Sequence, residues 1–210
     1  MEIPHADRPP AQPGWEQKGT VVLPDVCHAD VVRALGIEAR EQLETATPYS
    51  REEVSSRRDG SLASPVHCAF LPATDRLEKL AFDKDLLHEL RKATGLWRLV
   101  PRGAVVVVYR RGDFQGLHTD TVKATVTAAV ALSDNLPPMG WAPTLRDAFP
   151  DEQAKLIAER GIFPEGEEFE QLAHPHDGGV RAFAGYSIPH WRTPFPDELG
   201  LLATFSYMDL

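Results

Sequence analysis

The sequence predicts an α+β fold in which helical segments come first and a β-sandwich or jelly roll follows and carries the site. Three observations point there. Apolar residues recur at helical spacing as far as Thr94, and from Ala104 onward they give way to β-branched runs separated by turns. Eighteen prolines exceed average composition and favour turns and loops over a helical bundle. A chain of 210 residues, 42% hydrophobic and 25% charged, suits one soluble globular domain and leaves little room for a second core.

Residues 1–19 read as a flexible proline-rich arm, with Pro9, Pro10 and Pro13 extending its 5–14 stretch. The single domain then spans 20–210. Residues 20–23 read as a short strand, and Leu23-Pro24-Asp25 leads into a helix over about 29–46, with Val31, Val32, Leu35, Ala39 and Leu43 at helical spacing. The charged, turn-rich stretch 51–60 reads as a solvated loop and 66–71 as a strand. One or two helices occupy 75–94, carrying Leu77, Leu80, Leu86, Leu87 and Leu90, with Gly95 suited to the left-handed position past the end.

Past Gly95 the period changes. Residues 104–109 are a β-branched run, Arg111-Gly112-Asp113 is a turn, and 124–132 is a second β-rich stretch, so these are strands of a buried sheet. Prolines between 137 and 143 break the pattern. A helix over 145–160, ended by Gly161 and packing through Leu156 and Ile157, makes an insertion of about 137–178. Three short strands, 180–184, 186–192 and 201–207, close the chain.

A formal net charge of -9 and a pI near 5.3 argue against nucleic-acid or anionic-membrane partners and leave a small molecule as the expected substrate. No apolar run approaches the ~18 residues a membrane span needs, and residues 1–20 lack a signal-peptide core. A cytoplasmic location is expected. Cys27 and Cys68 are too few for a zinc ribbon or a disulfide framework and read as small buried apolar residues.

The chemistry gathers on the strands. His118-Thr119-Asp120 puts two metal-competent side chains on one face of an extended segment, and His190 lies on a later strand that barrel closure can bring beside them. Two histidines and one carboxylate on one face of a metal form a facial triad, which leaves positions open for substrate and dioxygen on Fe(II).

The stretch Tyr109-Arg-Arg-Gly-Asp-Phe-Gln-Gly-Leu-His118-Thr-Asp120 resembles the motif that opens the iron site of non-haem Fe(II)/2-oxoglutarate-dependent oxygenases, in particular the prolyl-hydroxylase-like branch. Upstream, the segments at Leu23-Pro-Asp-Val-Cys-His-Ala-Asp and Leu86-Leu-His-Glu-Leu-Arg-Lys-Ala-Thr-Gly95 are similar to the family's buttressing helices. Downstream, residues 126–135 and 180–194 resemble the strand after the first ligands and the segment ending in the distal histidine. The resemblance implies a double-stranded β-helix, a jelly-roll or cupin-like barrel buttressed by N-terminal helices. It also implies His118, Asp120 and His190 as iron ligands, with 2-oxoglutarate and dioxygen as co-substrates. Halogenating relatives replace the carboxylate ligand with a small residue, so Asp120 points to oxygen insertion.

One position departs from the pattern. The family places a basic residue at the start of the last strand for the far carboxylate of 2-oxoglutarate, where this chain has Leu199, Gly200 and Leu201. Strand alternation offers a substitute. If His190 points into the barrel, Arg192 points the same way and Trp191 points out, and Tyr109, Thr204 and Ser206 can add hydroxyl donors. Lys123 and Arg181 are weaker substitutes.

Each residue has a plainer role to weigh. His118 and Asp120 can be a turn histidine with a capping aspartate, and His190 a partly buried strand histidine. Arg192 can reach the surface and pair with Asp197 or Glu198. His174-Pro-His176-Asp177 has ligand-like spacing but reads as a solvated loop beside Gly178-Gly179, and His67 reads as a satisfied strand histidine. Trp97, Trp141 and Trp191 read as packing residues.

The expected function is Fe(II)/2-oxoglutarate-dependent hydroxylation of a small molecule, with the 137–178 insertion folding over the barrel mouth. Two alternatives stand beside it: an iron oxygenase or cyclase on the same barrel that does not use 2-oxoglutarate, and a non-catalytic jelly-roll binding module.

Overall fold

Two long strands form the spine of the molecule. In the computed structural model, which describes residues 10–210, Leu99–Arg110 and Leu199–Asp209 pair antiparallel from Leu199↔Arg110 to Asp209↔Leu99. In chain order the strands are β1 (Thr20–Leu23), β2 (Thr47–Arg51), β3 (Ser55–Ser56), β4 (Leu62–Ala63), β5 (Val66–Pro72), β6 (Leu99–Arg110) and β7 (Phe114–His118). They continue as β8 (Val126–Ala131), β9 (Met139–Trp141), β10 (Glu170–Leu172), β11 (Val180–Phe183), β12 (His190–Arg192) and β13 (Leu199–Asp209). The helices are α1 (Pro13–Lys18), α2 (Ala29–Glu41), α3 (Asp75–Ala81), α4 (Lys84–Thr94) and α5 (Pro150–Arg160).

One large antiparallel sheet runs β1-β11-β8-β13-β6-β5-β7-β12-β9-β10, with β2 also on β5. Its curl is made at β5. Ala69 to Pro72 pair with β6, whereas Val66 and His67 pair with β7, so one strand serves both halves of a jelly roll. All six residues of β8 are buried, which explains why its sequence shows a continuous apolar run rather than alternation.

The helices cover the broad half. Val32, Leu35 and Ala39 of α2, Leu77 and Ala81 of α3, and Leu86, Leu90 and Ala93 of α4 join one core with the sheet residues. Burying each of the leucines contributes ~1.5–3 kcal/mol. The expected break between α3 and α4 is made by Asp83, whose Oδ1 accepts from the backbone N–H of Asp85 and Leu86 at 2.9 Å each. Gly95 ends α4 at φ 71°.

Four expectations need correction. Residues 1–9 of the expected arm lie outside the described residues, but Pro13–Lys18 is the helix α1 with Trp15 buried. A proline at the first helical position presets the backbone, and the indole supplies apolar area that an arm would leave wet. The docking is specific: Gln12 N–H donates to Ala93 O at 2.8 Å, and Arg146 donates to the carbonyls of Trp15 and Glu16.

The 137–178 segment contains α5 but is not only an insertion, because β9 and β10 extend the sheet beyond β12. Three-residue strands are too short to show a period. The helix also begins later than expected, at Pro150, where Phe149 N–H donates to Glu152 Oε2. Likewise the strand expected over 186–192 is restricted to His190–Arg192, since Ser187 and Ile188 N–H both turn back to Ala184 O.

A second, smaller core lies under β4, β7, β9 and β12, where Leu62, Leu117, Ala142 and Trp191 pack with Leu156, Ile157, Phe163 and Phe169. This places α5 behind the narrow half of the sheet. No helix among the described residues is long and apolar enough to cross a membrane.

Candidate metal centre

Strand pairing assembles the centre. His118 ends β7, His190 begins β12, and the antiparallel register sets them opposite each other with ring centroids 4.4 Å apart. Each imidazole is oriented by the carbonyl two residues before it: Nδ1 of His118 meets Gly116 O at 2.7 Å and Nδ1 of His190 meets Ile188 O at 3.0 Å. With Nδ1–H donating, the Nε2 lone pair of each ring faces inward, the tautomer a metal ligand needs. Burial first, and the nearby His190 next, push His118 down to about 3, so its ring is neutral at physiological pH.

Asp120 completes the group. Its Oδ1 lies 4.0 Å from His118 Nε2 and 3.8 Å from His190 Nε2, and one ligand atom from each of the three residues lies within 4.8 Å of the others. The other oxygen accepts from Thr127 Oγ1 at 2.5 Å, and the backbone N–H donates to Gly185 O at 2.8 Å. A Cβ at Gly185 would overlap Asp120 Oδ2, so glycine there is what lets the turn pass the carboxylate. Two imidazoles and one carboxylate, brought together by the pairing of β7 with β12, are a donor set that fits a divalent iron.

The three residues line a cavity of about 390 Å³. Arg192 lines it too, on the same side of β12 as His190, whereas Trp191 turns away into the second core. The guanidinium is 1% exposed and does not reach Asp197 or Glu198. Its Nη1 donates to Pro137 O at 2.5 Å, its Nη2 faces His174 Nε2 at 2.9 Å, and its Cζ lies 5.2 Å from the Tyr109 ring centre. Arg192 Nε is buried without a partner, and among the described residues no carboxylate oxygen lies within 4.0 Å of the group.

His174, expected in a solvated loop, is instead 7% exposed and lines the cavity. The loop is drawn inward because Pro175 O accepts from Ala131 N–H at the end of β8. Burial, and then the adjacent Arg192, hold His174 well below the ordinary imidazole range, so Nε2 is an acceptor and Nδ1 carries a hydrogen with no partner. A buried guanidinium and a buried imidazole, each with an orphaned nitrogen, make a cradle suited to a carboxylate.

Tyr109, Thr204 and Ser206 also line the cavity, as the alternation of β6 and β13 requires. Tyr109 donates its hydroxyl to Gln115 Oε1 at 2.7 Å, and Thr204 Oγ1 donates to Val105 O at 3.3 Å. Lys123 is exposed, and Arg181 turns to Ala173 O and Thr20 Oγ1, so neither serves as a substitute for Arg192. His67 is a surface strand residue, its side chain 63% exposed and paired with Asp113 at 2.6 Å. Cys27 and Cys68 are buried, and burial pushes their thiols up to about 11 and about 12, as inert core residues.

Sequence reasoning missed the mouth. Tyr49 and Arg51 of β2 and Arg57 of the β3–β4 hairpin border the cavity, whereas Met139 and His174 are the lining residues drawn from 137–178. The 51–60 stretch has the composition of any solvated loop, and nothing in its spacing marks it.

No protein-family model matches the chain, and no curated protein does either. Solved structures do match, and what they share with this chain is the fold, a jelly roll that also occurs in structures described as 2-oxoglutarate-dependent non-haem enzymes. The non-haem α-ketoglutarate-dependent epimerase SnoN from nogalamycin biosynthesis superposes with a TM-score of 0.63 at 18% identity, over 93% of this chain and 80% of that one. A Pseudomonas putida prolyl-4-hydroxylase gives 0.60 at 16% identity, over 94% and 96%. HygX from Streptomyces hygroscopicus, with nickel and 2-oxoglutarate bound, gives 0.63 at 15% identity, over 92% and 84%.

Proposed function

We propose that this chain is an Fe(II)/2-oxoglutarate-dependent oxygenase that oxidises a small molecule, with hydroxylation of a C–H bond as the ordinary outcome. The single catalytic unit is 20–210 together with the docked α1. One observation carries the reading: a fully buried guanidinium, with no carboxylate beside it among the described residues, lines the same cavity as the His118–Asp120–His190 group.

In this reading His118, Asp120 and His190 hold the metal, and Thr127 and the two backbone carbonyls keep their donor atoms aimed inward. The chemistry supplied at such a centre is dioxygen activation, with oxidative decarboxylation of 2-oxoglutarate providing electrons. Arg192 binds the far carboxylate of the co-substrate, flanked by Tyr109 and Thr204, with Ser206 further along the same face of β13. Phe183, Leu202 and Val107 give the same cavity apolar lining.

The alternative without 2-oxoglutarate leaves Arg192 Nε and His174 Nδ1 buried and unpaired, at ~1–3 kcal/mol for each group. The binding-module alternative leaves the convergence of three oriented donor atoms without a role. The fold itself selects no reaction, since an epimerase and a prolyl hydroxylase share it. Anaerobic addition of Fe(II) and then 2-oxoglutarate tests the reading. It should produce a visible charge-transfer band that Arg192→Ala weakens while iron binding persists. Iron binding without any band would favour the alternative that does not use 2-oxoglutarate, and no iron binding would favour the binding module.

A further inference from the structure

We propose that the mouth of the cavity is an oxyanion-binding subsite, where Arg51 and Arg57 take the carboxylate or phosphate of a substrate with an apolar or aromatic body. The inference rests on the oxygenase reading for the identity of the cavity and goes beyond it in stating what the substrate carries.

The charge distribution is the first ground. Although the chain carries a formal net charge of -9, Asp120 is the sole acidic residue among the described residues that line the cavity, and Arg51 and Arg57 line it together with the exposed Tyr49, away from Arg192. Among the described residues neither has a carboxylate oxygen within 4.0 Å. The nearby Asp59 is engaged elsewhere: Oδ1 accepts from Ser61 N–H and Oγ–H, and Oδ2 from Val122 N–H. Two half-buried cations at one entrance repel each other, and Arg57 feels burial first and then the charge of Arg51 as forces against its protonated form, partly offset by the charges of Asp59 and Asp120. An anion between the two guanidiniums offsets their repulsion.

The second ground is preorganisation. Arg57 Nη1 donates to Ser61 Oγ at 2.9 Å, Leu62 O at 3.2 Å and Thr119 O at 2.9 Å, which ties the guanidinium to the residue between His118 and Asp120. Its Nε and Nη2 have no hydrogen-bond partner among the described residues, so one edge of the fork is open for an oxyanion. Arg51 is held by Tyr49 Oη, to which its Nη2 donates at 2.9 Å. The Tyr49 and Phe70 rings, 5.5 Å apart, wall the same entrance, so the body of the ligand meets aromatic surface while its charged end meets the arginines.

The test is calorimetric titration of the chain loaded with Mn(II), with saturating 2-oxoglutarate present to fill the Arg192 end. The ligands are a panel of aryl and medium-chain alkyl carboxylates, the phosphate monoesters of the same bodies, and the matching neutral amides. At least one anionic member should bind about ten-fold tighter than its amide, and Arg51→Gln and Arg57→Gln should each reduce that preference to about two-fold. The order of acid and monoester identifies the oxyanion. A panel in which no anion exceeds its amide overturns the proposal, as does a preference that survives both substitutions. Because Arg57→Gln also removes three hydrogen bonds and can unfold the hairpin, Arg51→Gln and a thermal melt of each variant keep the result decisive. Failure of 2-oxoglutarate to bind strikes the oxygenase reading alone. The panel is then read in Arg192→Ala, where the mouth is judged without the Arg192 guanidinium.

Discussion

Arg192 and His174 meet at 2.9 Å between Nη2 and Nε2, sealed from solvent, and the imidazole takes the place at the guanidinium that a carboxylate would fill in an ordinary ion pair. A neutral partner orients Arg192 without cancelling its charge, so the charge stays available to a ligand. His174 is thus a positioning residue. His174→Ala should weaken 2-oxoglutarate binding ~10–100-fold, the value of a hydrogen bond to a charged group, with iron affinity nearly unchanged. His174→Gln retains an acceptor and should recover part of the loss. Titration of the charge-transfer band reads both, and an unchanged midpoint in the alanine variant would assign His174 to packing alone.

Removing any one of His118, Asp120 or His190 takes away a donor that the other two cannot replace. Alanine at each position should abolish turnover and lower metal affinity by orders of magnitude, while the far-ultraviolet circular dichroism stays that of the parent. Measured metal content separates this from unfolding, and a fully loaded His190→Ala would remove that residue from the centre.

Gly185→Ala probes the same centre from outside it. The new methyl would collide with Asp120 Oδ2 and press on Thr127 Oγ1, so the carboxylate must swing away from the histidines. Metal affinity should fall about 10–100-fold, the usual effect of disturbing a ligand's support, with the melting temperature less affected. Competitive titration with a fluorescent chelator measures it.

Acid should destabilise the metal-free chain. His118 is lowered from 6.5 to about 3, chiefly by burial and then by His190, and burial and Arg192 shift His174 in the same direction. Below pH 6.5 the unfolded chain takes up protons on these rings that the folded chain refuses. Stability is therefore complete above that pH and is lost as the pH falls toward 3, with a slope of up to about 1.4 kcal/mol per pH unit for each ring. Urea denaturation at a series of pH values should show the slope, and His174→Gln should flatten it. An equally steep curve in that variant would mean that His174 is protonated in the folded state.

Helix α5 packs against the second core through Leu156 and Ile157, behind the strands that carry the histidines. Leu156→Ala should cost about 1–3 kcal/mol of stability, below the full value for a core leucine because the site is only partly buried. Relative rates on competing substrates should not change, contrary to the expectation that this segment covers the mouth. A shift in substrate preference would restore that role to it.

The helices α2, α3 and α4 and the long strands that follow them were legible because each segment follows a local rule. The apolar spacing of α2 and α4, the left-handed glycine at 95 and the β-branched run before Tyr109 depend only on neighbours in the chain. His118, Asp120 and His190 were legible for a related reason. Ligands two residues apart on an extended segment share a face wherever that segment lies, and the motif around them resembles a known one. The direction of Arg192 followed from the same alternation, but its burial did not.

What lay beyond the sequence depends on contacts between distant segments. His174 sits in a loop with every local mark of solvation, and only the pairing of Pro175 with the end of β8, together with the position of Arg192, makes it a buried acceptor. Arg51 and Arg57 belong to a charged stretch, and with Tyr49 they border the cavity only because β2 pairs with β5 and Arg57 reaches Thr119. The helix α1 forms where composition suggested an arm, since six residues gain a helix only when Trp15 finds a core to enter. Local periodicity thus determined most of the elements and the shared face of His118 and Asp120, and the resemblance of the surrounding motif added His190. Tertiary packing alone decided which polar groups lost their water, and that loss of water leaves a guanidinium and an imidazole buried, each with a nitrogen unpaired among the described residues.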